Sequence, residues 1–180
     1  SIKGYQNKYG NEVIPTDFKI KSEIIYNKAN IFNRLYKGYL LAGFSMLIIL
    51  IIQIFQNNKL INIFINIIKY LIYLLFTLNT IGLAARWYIA GHAPWSDAYE
   101  SIIFVAWATV IFGIIFGKKS YFTLASATFV SSIILYVANM NWLDPSIANL
   151  QPVLDSYWLM IHVAVIVGSY GPFAIGMILG

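Results

Sequence analysis

The stretch of sequence that decides the fold is Gly38–Asn58, which reads GYLLAGFSMLIILIIQIFQNN and carries no charged residue. A transmembrane helix needs about 20 predominantly apolar residues, so this stretch is long enough to cross a bilayer. Further apolar segments of comparable length follow it at about Ile61–Trp87, Tyr99–Gly117, Tyr121–Trp142 and Pro152–Gly180. Polar and apolar residues do not alternate along them, as they would in a membrane β-barrel. We therefore predict an all-α integral membrane protein with about five transmembrane helices.

The composition of the chain supports this prediction. Of the 180 residues, 59% are hydrophobic and 11% are charged, whereas a soluble domain carries about 25% charged residues. These proportions exclude a water-soluble globule and an intrinsically disordered chain. The chain has no cysteine, so it supplies no disulfide, thiolate ligand or cysteine nucleophile of its own. It also lacks a phosphate-binding glycine loop and a basic–aromatic pattern, and we expect no nucleic-acid partner.

The two ends of the chain differ from its middle. Residues 1–37 hold seven basic and three acidic residues, and apolar side chains at helical spacing over Ser22–Tyr36 predict a short amphipathic helix at the membrane interface. A solvated connector from an upstream domain is the alternative. The chain starts without Met and stops inside the apolar run Met177–Gly180, so we expect it to be partial. We divide it into an extramembrane N-terminal tail, residues 1–37, and a five-span membrane domain, residues 38–180.

Charged residues segregate between alternate connections. Lys59, Lys118 and Lys119 lie in the turns on one face, and the other face, here called the acid-rich face, receives the loops over residues 91–97 and 139–155. Every acid after residue 37 lies on that second face: Asp97, Glu100, Asp144 and Asp155. The positive-inside rule places the lysine turns in the cytoplasm. The basic tail would then lie outside, so charge alone leaves the orientation open.

The tryptophans are also unevenly placed. Only Trp107 lies deep in a span, and the others lie at or near the acid-rich face: Trp87, Trp95, Trp142 and Trp158. Interfacial anchoring is the ordinary explanation of such residues. A belt of anchors marks both faces, however, so a one-sided cluster also fits a flat hydrophobic ligand on that side. Both explanations stay open at the level of the sequence.

Both histidines lie on the acid-rich face. His92 lies in a loop between Gly91 and Pro94, where we expect it to be exposed. If the fifth helix begins near Pro152, His162 lies about ten residues along it, or ~15 Å from its start. An ionisable residue near the membrane is a functional candidate, and a neutral imidazole is the usual axial ligand of haem iron. A histidine hydrogen-bonded between helices is an equal alternative for His162.

Three charged residues lie in the loop over 91–97 or close to it. Arg86 ends the second span, and we expect it to extend to the interface or to bind a propionate or a lipid phosphate. Asp97 and Glu100 have the spacing of a capping box, in which Asp97 caps the third helix and Glu100 returns a hydrogen bond from the third helical position. Neither pattern is specific for one function.

Two runs of sequence point to a family. The run Arg86–Ser101, RWYIAGHAPWSDAYES, resembles the GHxPxSNxYES stretch of the CcsA/ResC cytochrome c assembly proteins, with Asp97 where that family often has Asn. The run Leu150–Val163, LQPVLDSYWLMIHV, followed by Ser169–Gly171, is similar to the segment that carries the family's first external haem-ligand histidine. Together the motifs cover about residues 80–175. The basic tail and the first span look like the junction of a fused CcsBA-type synthase.

The resemblance implies a system II cytochrome c synthase, a cytochrome c haem-lyase of the bacterial inner membrane. Such proteins export haem b and present it to the Cys-X-X-Cys-His motif of apocytochrome c on the periplasmic face. His162 would be an axial ligand of the haem iron, and the remaining site candidates would be Trp158, Trp95, Arg86 and, at the mouth of the site, His92. No catalytic residue is assigned.

The resemblance also implies parts that these residues do not contain. An upstream CcsB/ResB-type domain and a downstream tryptophan-rich WWD segment would complete the synthase within the lipid membrane. The family's orientation would place His92 and His162 outside and the lysine turns inside. The alternative function is a non-catalytic membrane scaffold, or a fragment of a transporter, in which both histidines serve packing.

Overall fold

The computed structural model describes residues 17–56, 58–118, 120–140, 144–147 and 156–179. Within these ranges the chain forms helices and no strand. Five of the described helical segments are long and apolar enough to cross a membrane, which confirms the predicted fold class. In chain order the helices are α1 (Asp17–Ala29), α2 (Ile31–Phe55), α3 (Lys59–Ala90), α4 (Ala98–Phe116), α5 (Tyr121–Ala138) and α6 (Tyr157–Leu179).

The chain divides into two compact units, Ser1–Asn30 and Ile31–Gly180. In the described part of the first unit, α1 exposes the apolar side chains of Phe18, Ile24 and Ile25. Its Ser22 hydroxyl donates a hydrogen bond to the carbonyl of Phe18 at 2.8 Å, inside the helix. The second unit contains α2–α6, which are the candidate membrane spans.

The predicted amphipathic helix over Ser22–Tyr36 is wrong as a single element. The chain leaves α1 at Asn30, whose φ of 42° lies in the left-handed region that Asn tolerates better than most residues. A new helix starts at Ile31, and its Phe32 and Leu35 are buried. These two side chains belong to the core of the second unit, so the helix that contains the first span begins seven residues before Gly38.

Helix α5 occupies the centre of the second unit. It packs against α2 on one side and α4 on the other, α2 also packs against α3, and α4 also packs against α6. Its sequence is rich in small residues, which let helix backbones approach closely where lipid supplies no hydrophobic driving force. The Ser131 hydroxyl donates to the carbonyl of Ala106 at 3.0 Å, which joins α5 to α4 through a polar contact. The small residues of α5 therefore set the spacing of the bundle.

Helix α6 docks on α4 along a single face. A Cβ atom added to Gly171 would lie 2.8 Å from the backbone nitrogen of Thr109, so only glycine permits this approach of the two backbones. Ile175 is buried one turn further on. The opposite face of α6 exposes large apolar side chains, among them Trp158, Val165 and Phe173. This second face is called the open face of α6.

Candidate functional site

The site begins where α3 ends. Gly91 follows the last residue of α3 with a φ of 77°, and its N–H donates to the carbonyl of Trp87 at 2.9 Å. This left-handed conformation is the usual end of a helix and favours glycine, which has no Cβ. The chain therefore turns sharply here, and residues 91–97 fold back toward the start of α4.

The predicted cap of α4 is confirmed. An oxygen of Asp97 accepts a hydrogen bond from the backbone N–H of Glu100 at 2.6 Å. The Glu100 carboxylate accepts in return from the N–H of Ser96 at 2.9 Å, one residue before the position that a capping box usually uses. Burial raises the pKa of the Asp97 carboxyl above its ordinary value, although its hydrogen bond and the Arg86 charge act in the opposite direction.

Arg86 lies inside the protein, which corrects the expectation that it extends to the interface. Its side chain is 1% exposed, and its Nε donates to an Oε1 of the fully buried Glu100 at 2.8 Å. The two terminal nitrogens donate to the carbonyls of Pro145 at 2.9 Å and Ser146 at 3.1 Å. Asp97 lies 3.8 Å away as a second acidic neighbour. A guanidinium so buried is stable because a carboxylate and two carbonyls replace water.

His92 is buried as well, and the expectation of an exposed loop histidine is wrong. The residue is 9% exposed. Its Nδ1 lies 3.1 Å from the hydroxyl of Ser96 and 3.2 Å from the carbonyl of Ala93. The Ser96 hydroxyl donates a hydrogen bond to the same carbonyl of Ala93 at 2.8 Å. The turn over 91–97 thus closes on its own polar groups and covers the imidazole.

A row of aromatic side chains runs along α3 and α4 toward this turn. Consecutive ring centroids are 5.8, 5.6, 4.9 and 5.8 Å apart. Such separations are typical of favourable aromatic pairs. In order from the interior of the bundle, the aromatic row contains Phe76, Trp107, Phe104, Trp95 and Trp87. Trp107, which the sequence placed apart from the other tryptophans, therefore belongs with two of them.

Four members of the aromatic row, all except Phe76, line an apolar cavity of about 210 Å³ between α3 and α4. Leu83, Ala84 and Pro94 complete most of its wall. The indole Nε1 of Trp107 donates to the hydroxyl of Thr80 at 2.9 Å, so the polar edge of that ring is already bonded within the protein. Phe104 and the cavity were not among the site residues predicted from the sequence. The sequence signal that could have indicated them is the spacing of aromatic residues. Phe104 and Trp107 lie one helical turn apart on α4, and Phe76 lies opposite them on α3.

Trp95 connects the turn to α6. Its indole Nε1 donates to the carbonyl of Met160 at 3.1 Å. Trp95 and Met160 share a small contact region with Ser96 and Val163. Because Met160 lies in the first turn of α6, this hydrogen bond connects that turn to the loop over 91–97.

His162 lies on the open face of α6. The described helix begins at Tyr157, so His162 is five residues along it, about 7.5 Å from that residue. Its side chain is exposed, and Trp158 one turn earlier is 77% exposed. The two residues line an open groove of about 510 Å³ together with Leu159, Ile161 and Val165. Trp158 and His162 therefore share one face of α6.

The structure brings some predicted residues together and separates others. Arg86 meets the helix cap at Glu100, and Trp95 meets both Trp87 and α6. His162 faces away from the bundle beside Trp158. Three predicted features lie outside the described residues: Trp142, Asp155 and a helix start at Pro152.

A bundle of membrane-spanning helices with a buried ion pair and an exposed histidine groove at one end defines a multi-span membrane protein with a candidate ligand site. Residues 95–180 match the family described as cytochrome C assembly protein. The chain is 39% identical over 185 residues to protein NrfI of Wolinella succinogenes, an alignment that covers all of this chain and 20% of NrfI.

Plant relatives align with a shorter part. The chain is 39% identical over 101 residues to the cytochrome c biogenesis protein CcsA of Lobularia maritima and 40% identical over 102 residues to CcsA of Aethionema grandiflorum. Each alignment covers 54% of this chain and 31% of CcsA. The chain belongs to the CcsA/ResC family of cytochrome c assembly proteins, as its two motifs predicted. It spans between a fifth and a third of the length of these relatives.

Proposed function

We propose that this chain handles haem within a system II cytochrome c synthase, and that His162 is an axial ligand of the haem iron. The observation that carries the proposal is the exposed imidazole of His162 in an open groove beside Trp158, in a member of a cytochrome c assembly family. The function includes export of haem b and its presentation to the Cys-X-X-Cys-His motif of apocytochrome c.

The residues of the groove fit a porphyrin. A neutral imidazole supplies the nitrogen that haem iron prefers. Trp158 offers a broad aromatic surface, and Leu159, Ile161 and Val165 supply apolar contacts. All five lining residues lie on α6, so the groove is one open wall against which a flat ring can lie. One imidazole is enough for such a ligand. The proposed site therefore does not depend on a cluster of three or more metal-binding side chains, and none occurs in the described ranges.

Attachment of haem adds each thiol across a vinyl group: the S–H bond and the vinyl π bond break, and one carbon–sulfur and one carbon–hydrogen bond form. The chain has no cysteine, so in this proposal both thiols come from apocytochrome c. The contribution of this chain is to hold and orient the substrate. His162 binds the iron, Trp158 supports the ring, and the loop over 91–97 holds the first turn of α6 through Trp95. Arg86 and His92 lie inside the protein and not in the groove, and they act on the site through the loop over 91–97.

The proposed synthase is larger than this chain. The full alignment with NrfI, of which the chain covers 20%, supports an arrangement with further segments around these helices. We propose an upstream CcsB/ResB-type domain that connects through the basic residues 1–37, as in a fused CcsBA-type protein, and a downstream WWD segment. The membrane is the bacterial inner membrane, with the acid-rich face in the periplasm.

Labelling of single cysteines tests this orientation. Ser146 and Ser120 are both exposed and lie on opposite faces of the predicted topology. In the complete protein without other reactive cysteines, Ser146→Cys should react with a membrane-impermeant thiol reagent in intact cells. Ser120→Cys should react only after the membrane is permeabilised. The reverse pattern would contradict the proposed orientation.

Replacement of the two histidines tests the function. In the complete protein, His162→Ala should alter the absorption spectrum of bound haem and strongly reduce cytochrome c maturation, while the protein still inserts in the membrane. His92→Ala is the matched control, because this imidazole is held by its own turn, and it should change the spectrum less. Normal maturation and an unchanged spectrum in His162→Ala would overturn the assignment. Such a result would favour a non-catalytic scaffold.

A further inference from the structure

Three separate segments of the chain meet at the guanidinium group of Arg86. Arg86 lies four residues before the end of α3, and its ion-pair partner Glu100 lies in the first turn of α4. Its two carbonyl acceptors, Pro145 and Ser146, lie in the connection between α5 and α6. The sequence separations are 14, 59 and 60 residues. One side chain therefore joins both connections of the acid-rich face.

The chemistry of this contact requires arginine. A guanidinium presents a rigid planar fork of donors, so it can hold a carboxylate and two carbonyls at once, whereas a lysine ammonium is a compact point charge. The acceptors on the connection between α5 and α6 are backbone carbonyls, which Asp144 supports by accepting from the N–H of Ser146 at 2.9 Å. The geometry of the fork, and not charge alone, sets the position of residues 144–147.

A continuous path of hydrogen bonds leads from Arg86 to α6. Glu100 holds Arg86 with one oxygen and accepts from the N–H of Ser96 with the other. Trp95, the preceding residue, donates to the carbonyl of Met160. His162 lies two residues after Met160 on the same helix, so the position of its backbone depends on this path.

We propose that Arg86 is a positioning residue that couples the two connections of the acid-rich face and thereby sets the position of His162. The proposal rests on the proposed function, in which His162 binds haem iron. Arg86 itself contacts no substrate. It acts through Glu100, Ser96 and Trp95, and its loss shifts the first turns of α6 and the ligand that they carry.

The variant that tests this proposal is Arg86→Lys, which keeps the positive charge and removes the fork. The matched control is Arg34→Lys, because Arg34 is exposed on α2. The first readout needs no haem. Cysteines are placed at Ser96 and Val163, which line the same contact region, and are joined by a short bifunctional thiol reagent in the complete protein. Arg86→Lys should slow this cross-link several-fold, and Arg34→Lys should leave it unchanged.

The second readout is the absorption spectrum of bound haem in the same variants without the added cysteines. Arg86→Lys should give a mixed spectrum in which part of the haem has lost the parent ligation. An unchanged cross-linking rate in Arg86→Lys would overturn the positioning role, whatever the haem spectrum shows. A slowed cross-link with a parent spectrum would overturn the connection to the ligand. An unaltered spectrum in His162→Ala, by contrast, would count against the proposed function alone.

A second variant keeps the test decisive if Arg86→Lys does not accumulate in the membrane. Trp95→Phe retains an aromatic ring beside Trp87 and Phe104 but removes the hydrogen bond to Met160. It should slow the cross-link and broaden the haem spectrum in the same direction as Arg86→Lys. Parent behaviour of Trp95→Phe in both measurements would overturn the proposed path from Arg86 to α6.

Discussion

The end of α3 and the open face of α6 lie at the same end of the helical unit, and they differ in every physical respect. Around Arg86 the charged and polar groups are buried and hydrogen-bonded to one another. On α6 the imidazole of His162 and the indole of Trp158 are exposed. The first region is already complete, since its polar groups bind each other. The second exposes its side chains, as the proposed haem site requires.

This difference predicts two kinds of mutational effect. Removal of one partner of a buried ion pair leaves an uncompensated charge and lowers the free energy of unfolding. Replacement of an exposed side chain has little effect on stability and removes only what that side chain binds. Substitutions near Arg86 should therefore mainly lower the free energy of unfolding, and substitutions at His162 should mainly change the binding of haem.

The largest effect on stability is expected from Glu100→Leu. This change leaves the buried guanidinium of Arg86 without its carboxylate, and removal of one partner of a buried pair costs about 3–5 kcal/mol. Denaturant unfolding in detergent and the amount of protein in the membrane would measure the loss. The exposed Glu23 is the matched control, and Glu23→Leu should stay within about 0.5 kcal/mol of the parent. A cost of Glu100→Leu no larger than that of the control would contradict a buried pair.

A smaller effect is expected where α6 docks on α4. Gly171→Ala places a methyl group 2.8 Å from the backbone of Thr109, and overpacking of this kind costs about 1–3 kcal/mol. Gly176→Ala on the same helix meets no atom within 4 Å and should be neutral or slightly stabilising. Thermal unfolding of both variants in one detergent would compare them. Equal stability would show that α6 does not pack on α4 through Gly171.

The smallest effect is expected from Asp97→Asn, and it depends on pH. Burial raises the pKa of the Asp97 carboxyl above its ordinary value of 3.8. The stability that this group adds is therefore fully present below pH 3.8 and is lost as the pH rises through the raised value. Asn accepts the same capping bond and does not titrate. The free energy of unfolding of Asp97→Asn, relative to that of the parent, should therefore rise as the pH increases across this range. A shift in the opposite direction would mean that the charge of Arg86 outweighs burial.

The sequence predicted the features that depend on local pattern. Uncharged apolar runs defined the spans, and the spacing of Asp97 and Glu100 predicted the cap of α4. Features that depend on contacts between distant segments were missed. Arg86 has the sequence position of an interfacial residue, and nothing in its neighbourhood indicated that the carbonyls of Pro145 and Ser146, 59 and 60 residues away, would enclose it.

The exposure of His162, the proposed ligand of the haem iron, was also beyond what the sequence could predict. Trp158 and His162 are four residues apart, a spacing that puts them on one face of a helix, and both line the groove on α6. Helical spacing did not indicate which of the two histidines, His92 or His162, would be exposed. A loop between Gly91 and Pro94 suggested exposure for His92, but the hydrogen bonds of Ser96 close the turn over that ring. Burial of a loop residue depends on how the loop folds back, which residue types alone do not specify.

Ligation of haem iron by His162 is tested most directly by imidazole rescue. The absorption spectrum of reduced haem is recorded in the complete protein carrying His162→Gly, while imidazole is added in increasing concentration. We predict that the substitution alters the spectrum and that imidazole restores it by filling the vacant ligand position. His92→Gly, measured in parallel, should change the spectrum less and show no recovery with imidazole. A parent spectrum in His162→Gly before any imidazole is added would contradict ligation by this residue.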